Sequence, residues 1–246
     1  MLVGLISAMA VLRLLDNRPA SPSMRELVFA RPEGFAFRAG QFIRIGLDGV
    51  FRAYSIASGE EEPEIRLIVT NVKTGELSPK LCALEPGAEV ELDGEPDGHL
   101  NPERIPGGST LWLMATGSGV TPFLSMIRTG KLWKGWEEVV LVVGVRTLED
   151  AAAAQKLLDE TLPGPFTLAC ATTRDCSGEL SGRIPQLLDS GELEAHVGRA
   201  IDAEQARVLL CGNPDFITET RALLKARGMV APRFGKPGQI LAEQFW

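Results

Sequence analysis

The sequence is poor in the residues that hold metals. It has two histidines and four cysteines in 246 residues. Cys82, Cys170, Cys176 and Cys211 show neither CxxC pairing nor neighbouring histidines, which argues against zinc and iron–sulfur sites. Four scattered thiols fit a reduced, cytoplasmic protein rather than a disulfide framework. No apolar run approaches the ~20 residues that a membrane-spanning helix needs. Basic residues are also outnumbered, 25 Lys and Arg against 32 Asp and Glu, and the net charge of −7 argues against nonspecific nucleic-acid binding. A strict GxGxxG is missing, as is the acidic ribose reader expected about 20 residues further on, which argues against a plain dinucleotide fold of the common dehydrogenase type.

What is present describes an ordinary soluble globular chain, 45% hydrophobic and 23% charged, long enough for two domains of about 100–150 residues. Met1–Leu15 is apolar, but no Lys or Arg precedes it and its first charge is Arg13. It reads as a first barrel strand rather than a signal peptide. From about Val11 to Leu92, short alternating runs such as 41–47, 64–70 and 88–92 are separated by Pro, Gly and acidic turns, the pattern of a closed antiparallel barrel. Beyond the Gly/Pro-rich stretch 93–108 the period changes. Apolar strands at 110–115, 139–145, 166–171 and 207–211 alternate with helices at 121–129, 148–160, 183–189 and 215–228, which predicts a parallel sheet with crossover helices. The expected domains are 1–98 and 99–246. Thr121 before Pro122 reads as a hydroxyl cap with proline at the first helical position.

Three blocks carry chemistry. Arg52-Ala53-Tyr54-Ser55 places a cation, an aromatic face and a hydroxyl on one extended segment, with alternate residues sharing a face. That suits a diphosphate at Arg52, a flavin ring at Tyr54 and its N5 edge at Ser55. Taken alone, Tyr54 would equally read as half-buried packing and Arg52 as a surface cation. Gly75-Glu76-Leu77-Ser78, after a strand, adds backbone donors and a hydroxyl for an anion. Thr116-Gly117-Ser118-Gly119 ends an apolar strand where bare backbone can approach a phosphate and a helix begins. Arg146, Arg174 and Arg183 stand at adjacent strand ends, a set that suits the 2′-phosphate of NADP(H). Cys211-Gly212-Asn213-Pro214 ends another strand, with a buried strand thiol as the plainer reading of Cys211. The terminal Phe245-Trp246 pair calls for docking on something. Arg25, Arg38, Arg44, Lys73 and Lys80 offer either a local basic face to an acidic partner or simple solvated charge.

Together with Leu67–Thr70, the Ser78-Pro79-Lys80-Leu81 run and Ser181-Gly182-Arg183-Ile184-Pro185, these blocks span nearly the whole chain, which resembles a ferredoxin–NADP reductase of the short bacterial type that also serves flavodoxin. The resemblance implies an N-terminal Greek-key FAD-binding β-barrel, a C-terminal NADP-binding α/β domain, and a monomer. It implies FAD contacts at Arg52, Ala53, Tyr54, Ser55, Ile68, Glu76, Leu77, Ser78 and Ser118. Phe245 and Trp246 should lie near the flavin, the final ring as a platform for the adenine. NADP(H) contacts fall at Val145, Arg146, Thr173, Arg174, Arg183, Cys211 and Gly212. Tyr54, Ser55 and Cys211 are expected at the reacting centre, with Glu243 as a proton relay. Gln244 replaces the charged tail residue usual in the family. Rival expectations are a related reductase of free flavin, quinone or a haem protein, and a non-catalytic electron-transfer subunit.

Overall fold

The computed structural model describes residues 10–159, 166–175, 177–233 and 235–244. Its first half is built by strands that alternate. In β1 (Ala10–Ser21) Leu12 and Leu14 point inward, in β3 (Phe42–Leu47) Ile43 and Ile45 flank the exposed Arg44, and in β5 (Glu64–Thr70) Ile65, Leu67 and Val69 do the same. With β2 (Met24–Ala30), β4 (Val50–Ser55) and β6 (Glu89–Asp97) they form one antiparallel sheet in the order β4-β3-β6-β1-β2-β5. The two edges meet at an antiparallel bridge between Ile56 and Leu67, which closes the barrel and leaves no free edge there. The short helix α1 (Ser78–Cys82) sets Leu81 against the barrel core, as does Leu77 just before it.

The second half begins with β7 (Thr110–Thr116) and adds β8 (Glu138–Val145), β9 (Thr167–Thr172) and the two-residue β10 (Leu180–Ser181) to one side. It then returns to place β11 (Ala206–Gly212) and β12 (Ile240–Gln244) on the other, giving the all-parallel order β10-β9-β8-β7-β11-β12. Both faces are covered, so the strands are apolar throughout rather than alternating. Leu111, Leu113 and Ala115 of β7 face a core shared with α2 (Thr121–Arg128) and α3 (Leu148–Asp159), while Trp112 and Met114 face α4 (Ile184–Ser190) and α6 (Pro214–Ala226). Met24, Ala39, Ala57 and Ile68, which belong to the outer wall of the barrel, are buried in the same core as Leu113 and Phe123. The halves therefore share apolar packing. No helix among the described residues is long and apolar enough to cross a membrane.

One expectation is corrected here, and the structure adds elements that the periodicity left unassigned. Thr121 is not the cap of α2: the Gly117–Val120 turn is already helical, so Thr121 lies inside the helix and donates its hydroxyl to the Ser118 carbonyl at 2.6 Å. Strand β6 continues to Asp97, into the Gly/Pro-rich stretch. The segment before the terminus is a sixth parallel strand, β12, paired with β11 from Val208↔Ile240 to Gly212↔Gln244. A further helix, α5 (Glu192–Val197), occupies a segment the periodicity left unassigned. Phe245, Trp246, the apolar 1–9 segment and Cys176 lie outside the described residues.

Candidate functional site

From β7 the chain moves outward to β8, whereas from β11, on the other side of β7, it moves outward in the opposite direction to β12, so the connections leaving these neighbouring carboxyl ends diverge. In an open parallel sheet that switch point opens a crevice. A cavity of ≈ 640 Å³ lies there and is closed on its far side by the barrel. Its size is within the range of about 300–1,000 Å³ typical of small-molecule and cofactor sites.

The barrel bank is β4 with the turn before α1. Arg52, Ala53, Tyr54, Ser55, Ile68, Glu76, Leu77 and Ser78 all line the cavity. Ser55 is buried, and Tyr54 is half-buried with its phenol pushed up to about 12, first by desolvation and then by Cys82, against the pull of Arg52. Tyr54 is therefore a neutral ring and donor at any ordinary pH. The exposed Arg52 guanidinium lies 3.8 Å from Glu76, a loose pair that an anion can displace. Ser78 Oγ accepts the Val72 amide at 3.2 Å and so also closes its own loop.

The opposite bank is made of strand ends. Gly117 has φ +54° and no atom within 4 Å of where a Cβ would be, so its backbone faces open space. Gly119 and Gly212 lie where the ends of β7 and β11 cross. A Cβ on Gly119 would stand 2.2 Å from the Cys211 carbonyl oxygen, and one on Gly212 would stand 2.1 Å from Thr116 Oγ1. Ser118, Val145, Arg146, Thr173, Arg183 and Gly212 line this bank. The strand ends are tied laterally, Thr173 N to Val145 O at 3.1 Å and Arg174 N to Arg146 O at 2.8 Å. Arg183 is held by Glu219 of α6 at 3.1 Å.

Three expected site residues fall outside the lining. Arg174 shares the exposed strand end with Arg146 but does not reach the cavity wall. Cys211 is wholly buried, because its strand alternates Gly212 toward the cavity and the thiol into the core. Burial, then the nearby Glu243 carboxylate, pushes that thiol well above the usual range, so it is no nucleophile. Glu243 is docked on the segment that joins the two halves: Oε1 accepts the His99 amide at 2.8 Å, while Oε2 is buried without a partner. Burial raises its pKa most, and Asp97 adds to the rise against the amides of His99 and Leu100.

Sequence reasoning missed Met24, Asp150 and Phe216, which line the cavity with Asn213 of the Cys211-Gly212-Asn213-Pro214 block. Asn213 also caps α6, a role that Asn-Pro before an apolar run could have signalled, and its Oδ1 accepts the Phe216 amide at 2.9 Å. The Asp150 carboxylate accepts the Thr147 hydroxyl at 3.1 Å and so is tied to the start of α3. Among the described residues no group of three or more His, Cys, Asp or Glu could hold a metal ion.

The family models for an oxidoreductase FAD-binding domain and an oxidoreductase NAD-binding domain match residues 12–101 and 113–222. The flavodoxin/ferredoxin–NADP reductase of Escherichia coli is 37% identical over 218 residues, covering 85% of this chain and 88% of that one. The chain belongs to the flavodoxin/ferredoxin–NADP reductase family. The ferredoxin–NADP reductase of Azotobacter vinelandii is 31% identical over 97% of this chain and 98% of its own. A crystal structure of a ferredoxin NADP+ reductase from Neisseria gonorrhoeae with bound FAD and NADP superposes with a TM-score of 0.88, at 30% identity and covering 96% and 98% of the two chains. The chain is thus an FAD- and NADP-dependent flavin oxidoreductase, with a barrel followed by a parallel α/β unit as the motifs implied. The cavity fits the two nucleotides in kind: a cation and hydroxyls on one bank, bare glycine backbone and arginines on the other.

Proposed function

We propose that this reductase moves electrons between NADPH and a small ferredoxin- or flavodoxin-type carrier, as a cytoplasmic monomer whose working units are residues 1–98 and 99–246. The observation that supports this reading is one cavity with a flavin-type bank and a phosphate-type bank facing each other. On the first, Arg52 pairs with the FAD pyrophosphate with help from the 75–78 turn, Tyr54 packs on the ring system, and Ser55 donates toward its N5 edge. Ala53, Ile68, Glu76, Leu77, Ser78 and Ser118 complete that contact surface. On the second, Val145, Arg146, Thr173, Arg183 and Gly212 hold NADP(H), with Arg146 and Arg183 on its 2′-phosphate.

Bound FAD supplies a two-electron hydride acceptor that can release electrons singly. The protein's part is orientation, since no acid or base is required for the hydride step itself. Glu243 would hold a proton next to the segment that joins the halves, a role supported by its raised pKa and a buried unpaired oxygen.

The test is an anaerobic titration of purified protein followed by visible absorbance. NADPH should bleach the bound flavin at far lower concentration than NADH, and reduced enzyme should then reduce ferredoxin or flavodoxin faster than free flavin or quinone. A protein that takes up no FAD would overturn the reading. Preference for free flavin, quinone or a haem protein would replace only the acceptor.

A further inference from the structure

Helix α2 touches the cavity with one end and the flavin-side strand with the other. Its leading turn, Gly117–Val120, and Thr121 lie at the wall of the cavity. In its C-terminal half the direction of contact changes. Ser125 Oγ donates to the Ser58 carbonyl at 2.6 Å, and both residues are wholly buried. Arg128 Nη1 donates to the Ala57 carbonyl at 2.9 Å, while its Nε lies 3.8 Å from Glu62. Ser125 and Arg128 stand three apart on the helix and so share a face.

The two carbonyls belong to the chain that continues β4 directly beyond Ser55. The amides of that same segment are bonded inside the barrel: Ile56 N to Gln41 O at 3.0 Å and Ala57 N to Arg66 O at 2.7 Å. Ser58 Oγ accepts the Arg66 amide at 2.6 Å. Residues 56–58 are therefore bonded to the barrel on one side and to α2 on the other. Phe123, Leu124 and Ile127 are fully buried around the helix, which leaves it no room to slide. From Thr121 to Arg128 it is a rigid spacer of about 10 Å at ~1.5 Å per residue.

We propose that Ser125 and Arg128 are positioning residues for hydride transfer, fixing the distance between the Ser55 strand and the Gly117–Gly119 turn through the Ala57 and Ser58 carbonyls. The inference rests on the functional reading above. Neither side chain lines the cavity, so neither contributes to cofactor affinity directly. Their effect is on geometry, where a misplacement of about 1 Å costs on the order of a hundredfold in rate.

The experiment uses the FAD-loaded enzyme and the variants Ser125→Ala, Arg128→Lys and Arg128→Met. FAD content, visible-region circular dichroism of the flavin, NADP+ affinity by difference spectra, melting temperature, and the flavin reduction rate at saturating NADPH are measured for each. Ser125→Ala and Arg128→Met should keep FAD and NADP+ affinity, shift the flavin dichroism, and slow reduction at saturation by roughly tenfold to a hundredfold. Arg128→Lys should regain part of that rate, because an ammonium can still donate to a carbonyl. Unchanged dichroism and reduction rate with only a lower melting temperature would overturn the proposal and leave a structural contact. Loss of FAD from Ser125→Ala, which removes one hydroxyl, would also overturn it, since a positioning contact must leave binding intact. A wild-type protein that NADPH cannot reduce would instead overturn the functional reading.

Discussion

Glu243 shows how one half-buried carboxyl reports on the junction between the halves. Burial and Asp97 raise its pKa, and the His99 and Leu100 amides only partly offset them. A raised folded-state value means that the native state holds the proton more tightly than the unfolded chain does. The stability from that proton is fully present below the unfolded value and is lost as pH rises through the folded one. Glu243→Gln keeps an acceptor for the His99 amide and removes the charge. It should therefore melt above wild type at pH 8, with the gain vanishing toward pH 4. A lower melting temperature at pH 8 would mean that the carboxylate is stabilised where it sits. The arginines make a second case at the same scale. Arg146→Ala and Arg183→Ala should each weaken 2′,5′-ADP by about tenfold, the lower end of what a charged hydrogen bond contributes, and leave NAD+ unchanged. Arg174→Ala should do less, because its side chain does not line the cavity. Equal losses for both ligands, measured by difference spectra, would remove the 2′-phosphate from this end of the site.

At the level of elements, the crossing of the β7 and β11 ends is the tightest point near the site. The Thr116 hydroxyl accepts the Asn213 amide at 3.1 Å, so Gly212 cannot move away from it cheaply. Gly119→Ala places a methyl against the Cys211 carbonyl and should cost about 1–3 kcal/mol of unfolding free energy, as overpacking does. Gly107→Ala, with nothing within 4 Å of its Cβ position, should cost little, and urea unfolding of the pair separates strain from a general effect of glycine. The sequence made these turns legible as glycine-rich strand ends, and it made most strands and helices legible through their two periods. It did not reveal that β12 would join the sheet. Ile240–Gln244 is a short segment whose identity as a strand depends on the exposed edge of β11, which no local pattern encodes. The same limit applies to the site. Arg52 to Ser55, Arg146 and Arg183 were readable as lining residues from residue type and spacing, whereas Arg174 stops short of the wall, Met24 reaches the cavity only through the closure of the barrel, and the inward turn of Cys211 depends on strand register.

The whole molecule is joined through a shared core. Met24, Ala39, Ala57 and Ile68 of the barrel are buried with Leu113, Ala115 and Phe123 of the second half, and polar ties surround them. Ser125 binds Ser58, Lys131 pairs with Glu60, and Glu243 binds His99. Burial pushes the Glu60 carboxyl up, but the Ala39 amide and Lys131 outweigh it and hold it below the usual range. That contribution to the junction is present above the unfolded carboxylate value and is lost as pH falls through the depressed one. An interface of this kind makes the halves cooperative, because separating them exposes apolar surface on both sides. Calorimetry of the FAD-loaded protein at pH 7 should give one transition, raised further by NADP+, by about 2.7 kcal/mol of stability at a hundred times its dissociation constant. As pH falls through the depressed Glu60 value that tie is lost, and the barrel and the α/β unit should separate into two transitions. Two transitions already at pH 7 would mean that the shared core does not couple the halves, and that a barrel of residues 1–98 can be studied alone.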